Sequence, residues 1–231
     1  MKRFYRLAAS IEKEGGFGVT LDQRPLKTPA KRELTVPSAK LAAALAEEWQ
    51  AQGEKIEPAT MPLMQLVSTA LDRIAEGSGP LLDILAGFGR TDLLCYRAAH
   101  PRDLVARQQQ LWQPWLDWAE TLGIALVVTE GLVPVEQPAA SLSRLRQRLE
   151  RYDFWVLTAL QSLVPSLGSV ILALAVVEGA LDAEQAFALS QLDETFQAER
   201  WGLDQEAVRR QEGLRREILA AARFLALLTA A

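Results

Sequence analysis

The stretch from Gly15 to Pro29 leaves this chain few ways to fold. Gly15-Gly16 supplies the positive φ that a tight hairpin needs, and Val19-Thr20-Leu21 behind it is strand-like. Asp22 through Pro25 reads as a second turn, and Pro25 and Pro29 keep their surroundings out of a central strand. Short ribbons joined by turns build a small sheet. From Pro37 onward almost every segment carries helical spacing instead. The expected class is therefore α+β: an N-terminal β-ribbon unit over 1–36, from Arg3 to about Val36, then a larger all-helical domain over 37–231.

Along the helical part, Ser38 is a suitable N-cap, and Leu41, Leu45 and Trp49 recur every fourth residue on one face. Gly53 closes that helix, and Pro62 suits the first turn of the next, whose expected buried stripe is Leu66, Ala70, Leu71 and Ile74. A third helix is expected over Leu81 to Phe88. Pro101 starts a segment with Trp112, Trp115 and Trp118, where Pro114 should kink or restart the helix. Glu130 to Pro134 reads as irregular, and Ser141 as the cap of an arginine-rich helix. Asp182, with Gln185 three residues on, opens the helix that holds Phe187, Leu192 and Phe196. Asp204 caps a last helix with Val208, Ile218, Leu219 and Leu225 as its apolar positions.

Composition narrows the chemistry. Of the 231 residues 49% are apolar, enough for a sizeable core. Charges of 25 Lys/Arg against 29 Asp/Glu leave a net −4, which gives no general attraction for nucleic acid. Cys95 is the single cysteine, so an internal disulfide and a cysteine-rich zinc site are excluded. Met1 runs straight into a strand-like segment, and no secretory leader or Arg-rich transit peptide is expected. Phe154 to Val177 carries no charge, long enough for a span of about 20 residues. Thr158, Gln161, Ser162, Ser166 and Ser169 interrupt it, and Pro165 and Gly168 break it into core-length pieces. A buried helix pair without stable membrane insertion is expected.

Several phrases, in order, give the chain a family likeness. Lys2-Arg3-Phe4-Tyr5 precedes Leu21-Asp22-Gln23-Arg24-Pro25-Leu26-Lys27-Thr28-Pro29. Glu48-Trp49-Gln50-Ala51-Gln52, Met61-Pro62-Leu63, Thr69-Ala70-Leu71-Asp72-Arg73, Arg90 to Arg97, and Thr129-Glu130-Gly131 follow. Asp193-Glu194-Thr195-Phe196-Gln197 with Arg200-Trp201-Gly202 closes the series. Together they resemble the assembly chaperones of the F-type ATP synthase α subunit. The likeness departs at Val164 to Ser169, where Pro165 stands in a helical stretch. It implies a non-enzymatic protein without cofactor that binds the unassembled α subunit and promotes assembly of the catalytic head. The place of action would be the bacterial cytoplasm, or the mitochondrion for a processed organellar form.

Residues able to carry chemistry are few. His100 is the single histidine, so a multi-histidine metal site is excluded and no metal is expected. Cys95, His100 and Asp103 lie close in sequence, and a small-molecule enzyme built on Cys95 or on the Asp193/Glu194 acid cluster is the alternative reading. A packed thiol is the simpler account. Arg144, Arg148 and Arg151 share a helix face, expected to be solvated rather than phosphate-gripping. Glu194, Gln197 and Trp201 stand three and four apart, either as ordinary surface or as a contact face for a partner. The resemblance ties an acid of this C-terminal signature to chaperone function, at Glu194 here. Trp49, on the apolar stripe of its helix, is expected to be structural.

Overall fold

The computed structural model describes residues 1–131, 133–202 and 204–228. Leu132, inside the stretch expected to be irregular, lies outside them. The chain divides into two compact units. The first comprises Met1–Ser78, Phe154–Ala159 and Ala220–Ala231, the second Gly79–Asp153 and Leu160–Leu219.

The first unit is built on the ribbon. Strands β1 (Ala8–Lys13) and β2 (Gly16–Leu21) pair antiparallel, with Ala8 opposite Leu21 and Lys13 opposite Gly16. Gly16 is required there: a Cβ would stand 2.5 Å from the Val36 carbonyl oxygen, and its φ is +146°. Asp22 and Gln23 both take positive φ, a two-residue hairpin turn into β3 (Arg24–Pro25). The Asp22 carboxylate accepts from the Arg6 and Leu7 amides at 3.0 and 2.9 Å, which fixes the turn. The sheet order is β1-β2-β3, so Pro25 sits on an edge where its missing N–H costs nothing.

Helix α1 (Ala39–Gln50) lies on β1 and β2. Ser38 caps it by accepting from the Leu41 amide at 3.0 Å, and Leu41 and Leu45 are fully buried. The Glu48 carboxylate accepts from Leu63 and Met64 at 2.8 and 2.9 Å, capping α2 (Pro62–Thr69), whose last residue runs into a π-helical turn over Ala70–Ile74. Leu63, Met64, Val67, Ala70 and Ile74 are buried, while Leu66 and Leu71, expected on the stripe, are half-buried. Trp155, Ala159 and Phe224 complete this core.

The second unit is mainly helical. Helix α3 (Gly79–Gly87) is followed by a short turn, and β4 (Tyr96–Arg97) pairs in parallel with β5 (Thr129–Glu130). Helix α4 (Arg102–Thr121) runs on through Pro114 without restarting, because a proline facing outward costs one backbone bond that long flanking turns absorb. Helix α5 (Ala139–Leu149) begins after Pro138. Ser141 is inside it rather than its cap, and donates to the Ala125 carbonyl at 2.6 Å. Of the arginines expected on one solvated face, Arg144 and Arg151 are exposed, Arg151 lying past the end of α5. Arg148 is half-buried and pairs with Glu178 at 2.9 Å, and Arg146, outside that set, pairs with Asp83 at 3.2 Å.

The apolar stretch forms α6 (Phe154–Leu167) and α7 (Val170–Val177). Pro165 does not end α6. Gly168, at φ +64°, does, and Ser169 caps α7 by accepting from Leu172 at 3.0 Å. Among the described residues no helix is long and apolar enough to cross a membrane. Asp182 caps α8 (Ala183–Ser190) through the Gln185 amide, as its spacing predicts, but α8 stops at Gln191 and Leu192 and Phe196 belong to a separate α9 (Leu192–Trp201). Asp204 accepts from the Ala207 amide at 2.7 Å at the start of α10 (Gln205–Leu228). Ile218 is buried in α10, whereas Val208 faces out.

Candidate partner-binding surface

Helix α9 turns Leu192 and Phe196, four apart, into the second unit, where they are 3% and 6% exposed. That choice of inner face sends Glu194, Gln197 and Trp201 outward on the opposite side. Glu194 is partly exposed, with its carboxylate 3.8 Å from the Arg210 guanidinium, a loose surface pair. Gln197 is exposed, and Trp201, the last residue before Gly202 (φ +80°), is 77% exposed. The three residues expected to form one face do share it. Trp49, assigned a structural part, belongs to the first unit and is 9% exposed. Its ring meets Tyr5 edge-on at 5.6 Å, and its indole N–H has no hydrogen-bond partner among the described residues.

Behind this face lies a polar network that sequence reading did not find. Gln108 donates to the Asp193 carboxylate at 2.7 Å and accepts from the Ala98 amide at 2.8 Å. Arg97 donates to the carbonyls of Gln108 and Leu94 at 2.8 and 2.7 Å, with its guanidinium 5.4 Å from the Trp112 ring. Burial pushes the Asp193 carboxyl above its usual range, and the Gln108 hydrogen bond and Arg97 charge pull it back. Asp193 and Glu194, adjacent in sequence, therefore do different things: the first ties α9 to α4, the second faces out. A signal existed in the spacing, since Leu104, Gln108, Trp112 and Leu116 recur every fourth residue and one of them is polar. Arg107–Glu199 at 2.9 Å, Arg200 paired with Asp103, and Arg200 stacked 3.7 Å over Phe196 finish the attachment.

The thiol chemistry considered for Cys95 is overturned. Cys95 is fully buried, and burial together with the Asp92 charge pushes its thiol up to about 12, so it stays protonated and unreactive. His100 is exposed. The Asp193/Glu194 pair is no acid–base pair either, one acid being held by Gln108 and the other turned to solvent. Among the described residues no group of three or more His, Cys, Asp or Glu is placed to hold a metal.

Known proteins match this chain in sequence and in fold. The family model described as ATP12 chaperone protein matches residues 2–120, which stops short of α9. The mitochondrial protein atp12 of Schizosaccharomyces pombe is 28% identical over 219 residues, covering 89% of this chain and 75% of its own. The crystal structure of Atp12 from Paracoccus denitrificans superposes with a TM-score of 0.92 at 43% identity, covering 98% of both chains. A protein from Agrobacterium tumefaciens superposes with the same TM-score of 0.92 at 42% identity, over 99% of this chain and 86% of its own.

Proposed function

The chain belongs to the ATP12 chaperone family of non-enzymatic ATP synthase assembly factors, and from that premise we propose that its client is the unassembled α subunit of F-type ATP synthase. The physical need is general. A subunit destined for a ring exposes an apolar interface until its neighbour arrives. A protein that covers this surface transiently prevents self-association and must release when the correct partner competes. The outer face of α9, with Glu194, Gln197 and Trp201, is part of the surface that meets the client. The supporting observation is Trp201, an indole left 77% exposed on the helix that also carries Glu194, and a residue type enriched among the anchors of protein interfaces. The place of action is where the α subunit is assembled: the cytoplasm of a bacterium, or the mitochondrion.

Co-purification of the α subunit with a tagged copy of the chain, with and without the β subunit, tests the client. Binding is expected alone and release on adding β; no binding in either case sinks the assignment. Glu194→Lys tests the face. Losing the loose pair with Arg210 should change stability by no more than about 1 kcal/mol. The melting temperature should hold while α-subunit binding is lost. Unfolding of Glu194→Lys would instead make Glu194 a structural acid. The double variant Cys95→Ala with His100→Ala is expected to bind the client as well as wild type does; a loss of function in the folded double variant would revive a thiol mechanism.

A further inference from the structure

The first unit carries a groove that the α9 face does not account for. Its volume is about 610 Å³, and Trp49, Ile56, Pro58, Met61 and Met64 give it apolar walls, with Lys27 as the charged lining side chain. This size lies within the ~300–1,000 Å³ of sites that hold a discrete ligand or inserted side chains. Four of the sequence phrases that carry the family likeness meet in it: Lys27-Thr28-Pro29, Trp49, Met61 and Thr69. All of its lining residues except Met1 fall within the 2–120 matched by the family model.

The walls are fixed in advance. Thr28 donates to the Asp72 carboxylate, which also accepts from the Ala30 amide at 3.0 Å, and Arg32 donates to the Leu71 carbonyl at 3.1 Å. The Glu48 cap holds Met64 in place from the other side. A preformed groove loses little freedom when it is filled, and two methionines let it accept side chains of varied shape. Charge selects the occupant further. Residues 1–40 hold nine Lys/Arg against four Asp/Glu, a local excess of +5, while the whole chain is −4. Lys27 is exposed and has no ion pair among the described residues.

We propose that this groove is a second docking site, which takes an apolar segment of the α subunit with an Asp or Glu set against Lys27. The proposal rests on the client assigned above, and places a contact in the family-matched part of the chain, independent of α9. An apolar segment flanked by an acid would be held by burial in the slot and steered by Lys27 and the basic N-terminal segment.

The test uses the full chain and purified α subunit. Lys27→Glu reverses the one charge, and Ser68→Trp fills the slot from its half-buried rim. Each is expected to raise the Kd for the α subunit about tenfold or more, an ordinary size for an interface anchor, with the melting temperature of Lys27→Glu unchanged. A photo-crosslinking residue at exposed Gln65 should capture an α-subunit segment that contains an acid within a few residues of the crosslink. Should Ser68→Trp fail to fold, Lys27→Glu and the crosslink decide. If wild type binds and Lys27→Glu binds within twofold of it, the groove is wrong and the client stands. Capture of a segment with no acid overturns the groove likewise. If wild type does not bind the α subunit at all, client and groove fall together.

Discussion

Trp49→Ala is expected to lose about 3–5 kcal/mol of stability, the usual cost of truncating a buried aromatic side chain. Trp49 is the last large residue of the α1 stripe, sealing the sheet below Leu41 and Leu45. The loss has a definite origin. The indole N–H bonds to nothing among the described residues, so its removal strands no acceptor, and the cost is transfer plus cavity alone. The Trp49 carbonyl still accepts from the Tyr5 hydroxyl at 2.6 Å, which keeps the backbone in place around the void. For a chain of this length about 2–4 °C of melting temperature is lost per kcal/mol, so calorimetry should show a drop of roughly 6–20 °C. A drop of less than about 2 °C would mean that the pocket collapses or that Trp49 is not sealing the core.

The second large effect lies at Asp92, a carboxylate with no exposure at all. It accepts from the Leu94 amide at 3.1 Å, the Ile171 amide at 3.1 Å and the Ser169 hydroxyl at 2.8 Å, joining the turn before β4 to the start of α7. Asp92→Ala strands these donors at about 1–3 kcal/mol each, offset by the relief of burying a carboxylate, for a net loss on the order of 3 kcal/mol. The pH dependence separates the two contributions. Burial pushes Asp92 from 3.8 up to about 6, against the pull of its hydrogen bonds. A carboxyl that is easier to protonate when folded favours the folded state most below pH 3.8, and that contribution is lost as pH rises through about 6. Asp92→Asn has no such titration. Its stability deficit against wild type should therefore shrink between pH 4 and pH 7, by on the order of 3 kcal/mol at 1.36 kcal/mol per pKa unit. A deficit that is flat or widens over this range would show that the hydrogen bonds, not burial, set the charge of Asp92.

The helices whose ends are made by neighbours in sequence were legible from spacing. Ser38, Asp182 and Asp204 each accept from an amide three residues on, a relation that needs no other part of the fold. The Gly15-Gly16 hairpin is similar, because positive φ is a property of the residue itself. Errors fell where a distant partner decides. Ser141 was free to cap by propensity, but the Ala125 carbonyl stands where its hydroxyl can reach it. On α2 the buried stripe takes Leu63, Met64 and Val67 as well as Ala70 and Ile74, with Leu66 and Leu71 at its half-buried edge, because the chain packed against that helix sets where the stripe is centred.

Residue types and spacing by themselves determined the β head and α body, the thin catalytic inventory, the family likeness and the shared face of Glu194, Gln197 and Trp201. Those follow from periods of two and 3.6 and from which side chains can titrate. Only the tertiary structure decided that Asp193 turns inward to Gln108 while Glu194 turns out, that Cys95 is sealed from water, and that four separated phrases line one groove. Periodicity gives the direction of a side chain relative to its own helix. What lies in that direction depends on chain that returns from far along the sequence, 85 residues away for Gln108 and Asp193, and that is fixed only when the core packs.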